Sequence, residues 1–133
     1  MHKTFLKTSV IFAALSVIVG AYTAHKLRGT VSDQAYYIFE TAVRYQFYHA
    51  IALLFTGILY KQFPFKTTLW AGRFFIIGIF LFCGSLYILG WAKAAVKPGY
   101  EWLGPITPFG GLCFILGWVL LFIAFFKKTS PNK

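Results

Sequence analysis

The sequence predicts an all-α, polytopic membrane protein in which four transmembrane helices form an antiparallel bundle with both termini in the cytoplasm. Composition is the first reason: hydrophobic residues make up 59% of the 133 residues, against roughly 45–50% in soluble globular proteins. The second reason is that charged residues make up only 12% of the chain, which is about half the usual fraction. The third is the presence of four apolar segments, each long enough for the roughly 20 helical residues that cross a bilayer.

The net charge of +10 has a different meaning in a chain this apolar than in a soluble one. It indicates membrane topology and attraction to anionic lipid headgroups, rather than a nucleic-acid interface. The length suits a single integral-membrane domain over residues 1–133. The expected partners are therefore membrane lipids, together with a membrane-protein partner or a second copy of the chain, and no nucleic acid.

The first span is predicted at about residues 8–27. Basic residues followed by an apolar run imitate a secretory signal, but the candidate cleavage sites fit poorly and the run is long enough to span, so we expect a retained helix. Ser16, Gly20 and Ala24 recur every four residues. This spacing aligns small side chains on one face and predicts close packing against another helix.

The second span is predicted at about residues 41–60, preceded by an interfacial helical extension at about 33–44. Ser32 or Asp33 is expected to cap this helix. A continuous helix over both parts would be about 40 Å long at about 1.5 Å per residue, which exceeds the roughly 30 Å hydrocarbon core. Its first turns are therefore expected in or above the headgroup layer.

The third and fourth spans are predicted at about residues 68–92 and 108–126. Each has a capping signal at its start. Thr67 or Thr68 is expected to cap the third span, and Thr107 is expected to cap the fourth, because a proline follows it at the first helical position.

The basic residues predict the orientation, because cytoplasmic loops carry an excess of lysine and arginine. Eight lie on the side of the termini, namely Lys3, Lys7, Lys61, Lys66, Arg73, Lys127, Lys128 and Lys133. Five lie on the other side, namely Lys26, Arg28, Arg44, Lys93 and Lys97. Both termini are therefore expected in the cytoplasm, and the polar start of the second helix is expected at the outer leaflet.

That polar start is the best candidate for a functional site, because ionisable groups near a bilayer usually have a partner or a function. Glu40 and Arg44 stand four residues apart in the favourable order for a helical ion pair. One interpretation is a local pair that neutralises itself near the lipid. The other is one half of a polar site shared with another helix.

Histidines offer a second set of alternatives. Thr41, Tyr45 and His49 recur at four-residue spacing with Gln46 beside them, and His25 lies near the outer end of the first helix. His25 and His49 could serve as axial ligands of a haem, as a metal pair or as members of a proton relay. The alternative is that they form hydrogen bonds between helices, which is the more common role and the one that the sequence favours.

Two later helices add polar groups near the same depth. Ser85, Tyr87 and Thr107 are expected close to the outer ends of their spans. The complete candidate polar site is His25, Glu40, Thr41, Arg44, Tyr45, Gln46, Tyr48, His49, Ser85, Tyr87 and Thr107. The sequence contains no nucleophile–base pair, no paired carboxylates within a span and no phosphate loop, so catalysis is not expected and no cofactor is assigned.

Four ordered motifs also carry a family resemblance. They are Gly20-Ala21-x-x-Ala24-His25-x-Leu27, Phe39-x-Thr41-Ala42-x-x-Tyr45-Gln46-x-Tyr48-His49-Ala50, Phe82-x-Gly84-Ser85-Leu86-Tyr87 and Ile106-Thr107-Pro108-x-Gly110-Gly111. Together they resemble the bacterial membrane proteins of domain of unknown function 423, which are related to the eukaryotic transmembrane protein 256. Cys83 and Tyr22 depart from the usual pattern. The resemblance implies four helices in a bacterial inner membrane, and it implies no activity.

Two function classes follow. The first is a non-enzymatic membrane protein that binds a lipid, a small molecule or a membrane-protein partner at a polar pocket near the outer leaflet. The alternative is a small transporter or proton-coupled subunit that uses His25 and His49, and a haem or quinone redox module is a third, weaker possibility.

Overall fold

The computed structural model describes residues 1–127, and this range contains four long helices and no β-strand. Their bounds are α1 (Lys3–Leu27), α2 (Asp33–Leu59), α3 (Lys66–Ala94) and α4 (Ile106–Phe126). Two helices contain a π-helical turn, at Thr23–Leu27 in α1 and at Ile79–Cys83 in α3. A short 3-10 turn, Glu101–Leu103, precedes α4. The two lysines counted at the carboxyl terminus, Lys128 and Lys133, lie outside the described residues.

Helix α2 begins where its capping signal predicted. The Ser32 hydroxyl accepts a hydrogen bond from the Ala35 amide at 3.2 Å. This satisfies one of the free amides that every helix start leaves. The helix is 27 residues long and runs without a break from Asp33 to Leu59.

Helices α1 and α2 pack antiparallel along their whole length. At one end the His2 amide donates to the Gly57 carbonyl at 2.8 Å. Near the other end, Gly20 lies against Val43, whose Cγ1 would be 3.1 Å from a side chain added at Gly20. Ser16 is buried in the same seam. The predicted packing face of small residues is therefore used, for the most part, within this chain.

Helices α3 and α4 approach each other most closely where α3 forms its π turn. A Cβ added to Gly110 of α4 would collide with the backbone of Phe82, which lies in that turn. Only glycine permits such an approach of two backbones. The extra residue of the π turn therefore coincides with the tightest contact between the two helices.

Two capping predictions are wrong. Helix α3 begins at Lys66, and the Thr68 hydroxyl donates to the Phe63 carbonyl at 2.7 Å instead of accepting from its own helix. Helix α4 begins at Ile106 with Pro105 in the cap position, so Thr107 lies inside the first turn. The Thr68 hydroxyl therefore bonds back to the preceding loop, whereas the Thr107 hydroxyl bonds to Ser85 of α3, a partner that spacing along the chain does not reveal.

Three continuous helices are long and apolar enough to cross a membrane, namely Lys3–Leu27, Lys66–Ala94 and Glu101–Phe126. Helix α2 differs because it carries polar residues that are nevertheless buried, including Gln46, His49 and Thr56. It lies against α1 on one side and α3 on the other. The most polar long helix is therefore also the interior helix of the bundle.

Candidate functional site

The polar residues of α2 divide into two groups that face in different directions. We call Gln46 and His49 of α2, together with their partners Tyr87 of α3 and Trp118 of α4, the buried cluster, because the two residues from α2 are only 5% and 6% exposed, whereas Trp118 is 49% exposed. We call Glu40, Arg44 and Tyr48 the ladder, because they follow one another at four-residue spacing along an exposed stripe of α2. The sequence predicted one site at this end of α2, and the structure separates it into two.

Gln46 connects α2 with both of its neighbours. Its amide nitrogen donates to the Phe12 carbonyl of α1 at 3.0 Å, and its amide oxygen accepts from the Tyr87 hydroxyl of α3 at 2.8 Å. A carbonyl can only accept a hydrogen bond, so this partner determines the orientation of the Gln46 amide. Both ends of the side chain are therefore occupied by interhelical bonds.

His49 is held in one tautomer by its two partners. Trp118 of α4 donates its indole N–H to Nε2 at 3.2 Å, and an indole nitrogen has no acceptor capacity. Nε2 must therefore be unprotonated, and Nδ1 carries the hydrogen that the Tyr45 carbonyl accepts at 2.8 Å. The ring also stacks on Phe114, with centroids 3.5 Å apart.

This arrangement opposes a proton relay through His49. If Nε2 were protonated, it could no longer accept the hydrogen bond from the Trp118 indole, and two N–H donors would face each other. The contact with Phe114, near the middle of α4, also places His49 at mid-depth in the bundle rather than near an outer end. Gln46 and His49 together join α2 to the other three helices, which is the usual task of buried polar residues in membrane bundles.

The structure brings Ser85 and Thr107 together. Their hydroxyl oxygens are 2.7 Å apart and link α3 to the first turn of α4. The Ser85 hydroxyl also donates to the Phe82 carbonyl at 3.0 Å in the π turn. This contact therefore joins α3 to α4 toward the end of the bundle that lies opposite the amino terminus. The sequence predicted Ser85 and Thr107 at similar depths, and the structure places them together.

The structure does not bring His25 and His49 together. His25 is exposed in the last turn of α1. A rise of about 1.5 Å per residue puts it about 20 Å along α1 from Phe12, the residue that binds Gln46. Across residues 1–127, His25 has no hydrogen bond and no ring contact, and no three histidine, cysteine or acidic residues assemble where a metal could bind. Paired axial ligation by these histidines is incompatible with this geometry.

The ladder is exposed and incompletely paired. Glu40 and Arg44 form the expected ion pair, but the nearest oxygen and nitrogen are 3.8 Å apart and the side chains are 41% and 52% exposed. Tyr48 is 56% exposed, and its hydroxyl has no hydrogen bond to any residue in the described range. These three side chains therefore retain donors and acceptors for a ligand.

The remaining predicted residues have local roles. The Thr41 hydroxyl donates to the Tyr37 carbonyl one turn earlier in α2 at 2.8 Å. The Tyr45 ring lies 4.8 Å from that of Phe82, centroid to centroid. Both contacts stabilise α2 or its packing on α3, and neither side chain borders the cavities described next.

A furrow runs along the seam between α1 and α2 beside the ladder. We define the furrow as three adjoining cavities of about 250, 350 and 280 Å³. Gly20, Val43 and Arg44 border both the first and the second cavity, and Val17 and Phe47 border both the second and the third. Glu40 borders only the first. The furrow is thus charged at one end and apolar along the rest of its length.

Two participants of the site were not found from the sequence. Trp118 lies in an apolar stretch of α4 where nothing marks it as a partner of His49. The Phe12 carbonyl that binds Gln46 is a backbone group with no sequence signal. Only the predicted antiparallel pairing of the first two helices hinted that such a contact exists.

Comparison with known proteins is consistent across nearly the whole chain. The family model described as "Protein of unknown function (DUF423)" matches residues 19–111. A UPF0382 membrane protein of Staphylococcus aureus is 41% identical over 125 residues, covering 94% of this chain and 97% of the relative. The UPF0382 membrane protein YwdK of Bacillus subtilis is 36% identical over 126 residues, covering 94% and 98%. No solved structure matches.

Proposed function

This chain belongs to the DUF423 family of bacterial multi-pass membrane proteins, and we propose that it is a non-enzymatic, four-span protein that binds one phospholipid in the furrow between α1 and α2. The names of its relatives state no activity. The proposal therefore depends on the geometry of the furrow and its ladder.

The topology in this proposal has α2 as the fourth span and both chain ends in the cytoplasm. Helix α2 runs antiparallel to α1 from His2 at one end to Gly20 near the other, which supports a full crossing. Its low hydropathy reflects polar groups that face neighbouring helices. The eight-to-five distribution of basic residues supports the cytoplasmic assignment.

The observation that carries the proposal is the order of charged and apolar side chains along the furrow. Glu40 and Arg44 border its outer end, and its inner part is lined by apolar side chains such as Val10, Ile51 and Leu54. A phospholipid has the same order, with a charged headgroup followed by acyl chains. A membrane lipid entering from the outer leaflet would meet matching chemistry at each depth.

The length of the furrow is also suitable for an acyl chain. Its lining runs from Ala24 to Ser9 on α1, a rise of about 22 Å at about 1.5 Å per residue. One leaflet of hydrocarbon is about 15 Å deep, half of the roughly 30 Å core. The furrow therefore has room for a headgroup contact and one chain of leaflet length.

A lipid fits this surface better than a second transmembrane helix. The small residues that would admit another helix, Ser16 and Gly20, are already packed against α2. A partner helix would also have to supply charges for Glu40 and Arg44 inside the membrane, which is costly.

Native mass spectrometry of the protein extracted in a mild detergent tests the proposal. The wild type is expected to carry one phospholipid. Val17→Trp should remove it, because Val17 borders both apolar cavities and is 62% exposed, so the new ring would fill the furrow without disturbing the core. Leu15→Trp is the matched control, since Leu15 is 44% exposed and does not border the furrow.

Equal lipid retention in the two tryptophan variants would contradict the furrow as the binding site. A dimer that Val17→Trp dissociates, without any bound lipid, would show that the furrow is instead an interface between copies of this chain.

A further inference from the structure

We infer that the furrow selects a phospholipid whose headgroup carries a primary ammonium beside its phosphate, as phosphatidylethanolamine does. This inference rests on the proposed lipid binding. It adds a headgroup class that follows from the ladder, in which Glu40, Arg44 and Tyr48 stand one helical turn apart. A spacing of four residues corresponds to a rise of about 6 Å along the helix. The three side chains therefore lie at three successive depths beside a molecule that follows the seam.

Arg44 is the phosphate-binding group of the ladder. Arg44 borders both the first and the second cavity, and its side chain is 52% exposed. The 3.8 Å separation from Glu40 leaves most of its five N–H donors unoccupied. A guanidinium binds a phosphate with two parallel hydrogen bonds, which a lysine does not match.

Glu40 is the ammonium-binding group. It stands one turn nearer the start of α2 than Arg44, at the charged end of the furrow. A carboxylate repels an additional negative charge and attracts a positive one, so it disfavours a headgroup that carries only the phosphate charge. Its lone pairs also accept hydrogen bonds from N–H donors, which a primary ammonium has and a trimethylammonium lacks.

Aromatic walls for a trimethylammonium are not present at this point. Recognition of quaternary ammonium groups uses cages of several aromatic rings. Among the residues around the first cavity, Tyr36 is the single aromatic one. The geometry therefore favours ethanolamine over choline.

Tyr48 supplies the third level. Its hydroxyl is unpaired within the described range, and the residue borders the second cavity one turn deeper than Arg44. The glycerol ester carbonyls of a phospholipid lie just below the phosphate, and they are acceptors without donors. Tyr48 is therefore placed to donate to one of them, which orders the ladder as ammonium, phosphate and ester from the surface inwards.

Lipid competition measured by native mass spectrometry tests the inference. Delipidated full-length protein is titrated with phosphatidylethanolamine, phosphatidylcholine and phosphatidylglycerol that carry identical acyl chains. The wild type is expected to bind the ethanolamine lipid about fivefold more tightly than either competitor, the ratio of one half-exposed charge contact. Glu40→Gln should abolish this preference, whereas Arg44→Gln should weaken all three lipids similarly.

Asp33→Asn is the matched control for Glu40→Gln. It removes the same charge from the same end of α2, and Asp33 is exposed and does not border the furrow. Its selectivity should equal that of the wild type. Tyr48→Phe should weaken all three lipids without changing their order.

The outcomes separate this inference from the proposed function. Tighter or equal binding of phosphatidylglycerol, or a preference for ethanolamine that survives Glu40→Gln, would overturn the headgroup assignment and leave lipid binding in place. Failure of the wild type to bind any of the three lipids would overturn both.

Discussion

The ladder and the two α2 residues of the buried cluster, Gln46 and His49, lie on the same helix and overlap in sequence, yet the two groups differ in how completely they are hydrogen-bonded. In the buried cluster, both polar ends of Gln46 and both ring nitrogens of His49 have partners on other elements or on the backbone. In the ladder, Arg44 has one loose contact and the Tyr48 hydroxyl has none within residues 1–127.

This difference teaches how to separate the polar groups that hold helices together in a membrane bundle from the polar groups that are left open. A polar group that faces neighbouring helices must be satisfied, because an unpaired one is costly in a low-dielectric interior. A polar group that faces lipid at headgroup depth can remain unpaired until a ligand arrives. Polarity alone therefore does not identify a candidate site, and unsatisfied polarity beside a cavity is the stronger criterion.

His49→Ala should produce the largest loss of stability. The substitution removes a ring that stacks on Phe114 and leaves the Trp118 indole without its acceptor. We expect about 3 kcal/mol, as for other large-to-small changes in a core. Reversible unfolding in detergent micelles, followed by circular dichroism, measures it.

His25→Ala is the control for this prediction. His25 is exposed, so its removal should change stability by less than about 0.5 kcal/mol. Equal losses for the two histidines would break the distinction between buried and exposed polar groups.

Gln46→Leu should destabilise the bundle by about 2 kcal/mol, because it leaves the Tyr87 hydroxyl without its acceptor and removes the interhelical bond to the Phe12 carbonyl. Combination with Tyr87→Phe should cost less than the sum of the single losses, with a coupling of about 1 kcal/mol. The same unfolding assay applies to all three variants. Gln34→Leu is the control, because Gln34 is exposed on α2 and its replacement should be nearly neutral. If the losses caused by Gln46→Leu and Tyr87→Phe simply add in the double variant, the hydrogen bond between Gln46 and Tyr87 does not contribute to stability.

Ser85→Ala should cost about 1 kcal/mol. It breaks the hydroxyl pair with Thr107 that links α3 to α4. Thr41→Ala serves for comparison, because the Thr41 hydroxyl bonds only within its own helix. Thermal melts of the two variants in the same detergent should differ, and indistinguishable midpoints would show that the interhelical bond contributes nothing.

Arg44→Gln should have the smallest effect on stability and the clearest effect on ligand binding. The ion pair with Glu40 is half exposed and 3.8 Å long, so its loss should change the free energy of unfolding by less than about 0.5 kcal/mol. The amount of co-purifying phospholipid, determined by extraction and mass spectrometry, should nevertheless fall. Full lipid retention together with a large loss of stability would assign Arg44 to the structural group.

Much of the fold was predictable from local signals. The 27-residue length of α2 and its Ser32 cap were readable because capping and helix length are local properties. The Glu40–Arg44 pair was readable for the same reason, since residues four apart share a helix face. The caps predicted at Thr68 and Thr107 were wrong because the Thr68 hydroxyl bonds to the Phe63 carbonyl in the preceding loop and the Thr107 hydroxyl bonds to Ser85 on another helix.

The two polar groups could not be separated from the sequence. In a soluble protein, polar residues mark the outer face of a helix and apolar ones the inner face. In a bilayer both surroundings are apolar, so the sequence pattern of α2 does not tell that Gln46 faces inwards and Arg44 outwards. The packing of α1, α3 and α4 around α2 makes that choice.

The sequence by itself determined the class of protein, the helices and the local pairs on α2, because hydropathy, length and helical spacing act over short stretches of chain. The tertiary structure decided which polar groups form hydrogen bonds between helices and which remain unpaired beside the furrow. That decision depends on contacts between residues far apart in the chain, such as His49 with Trp118 and Gln46 with Phe12, and no short-range signal encodes them.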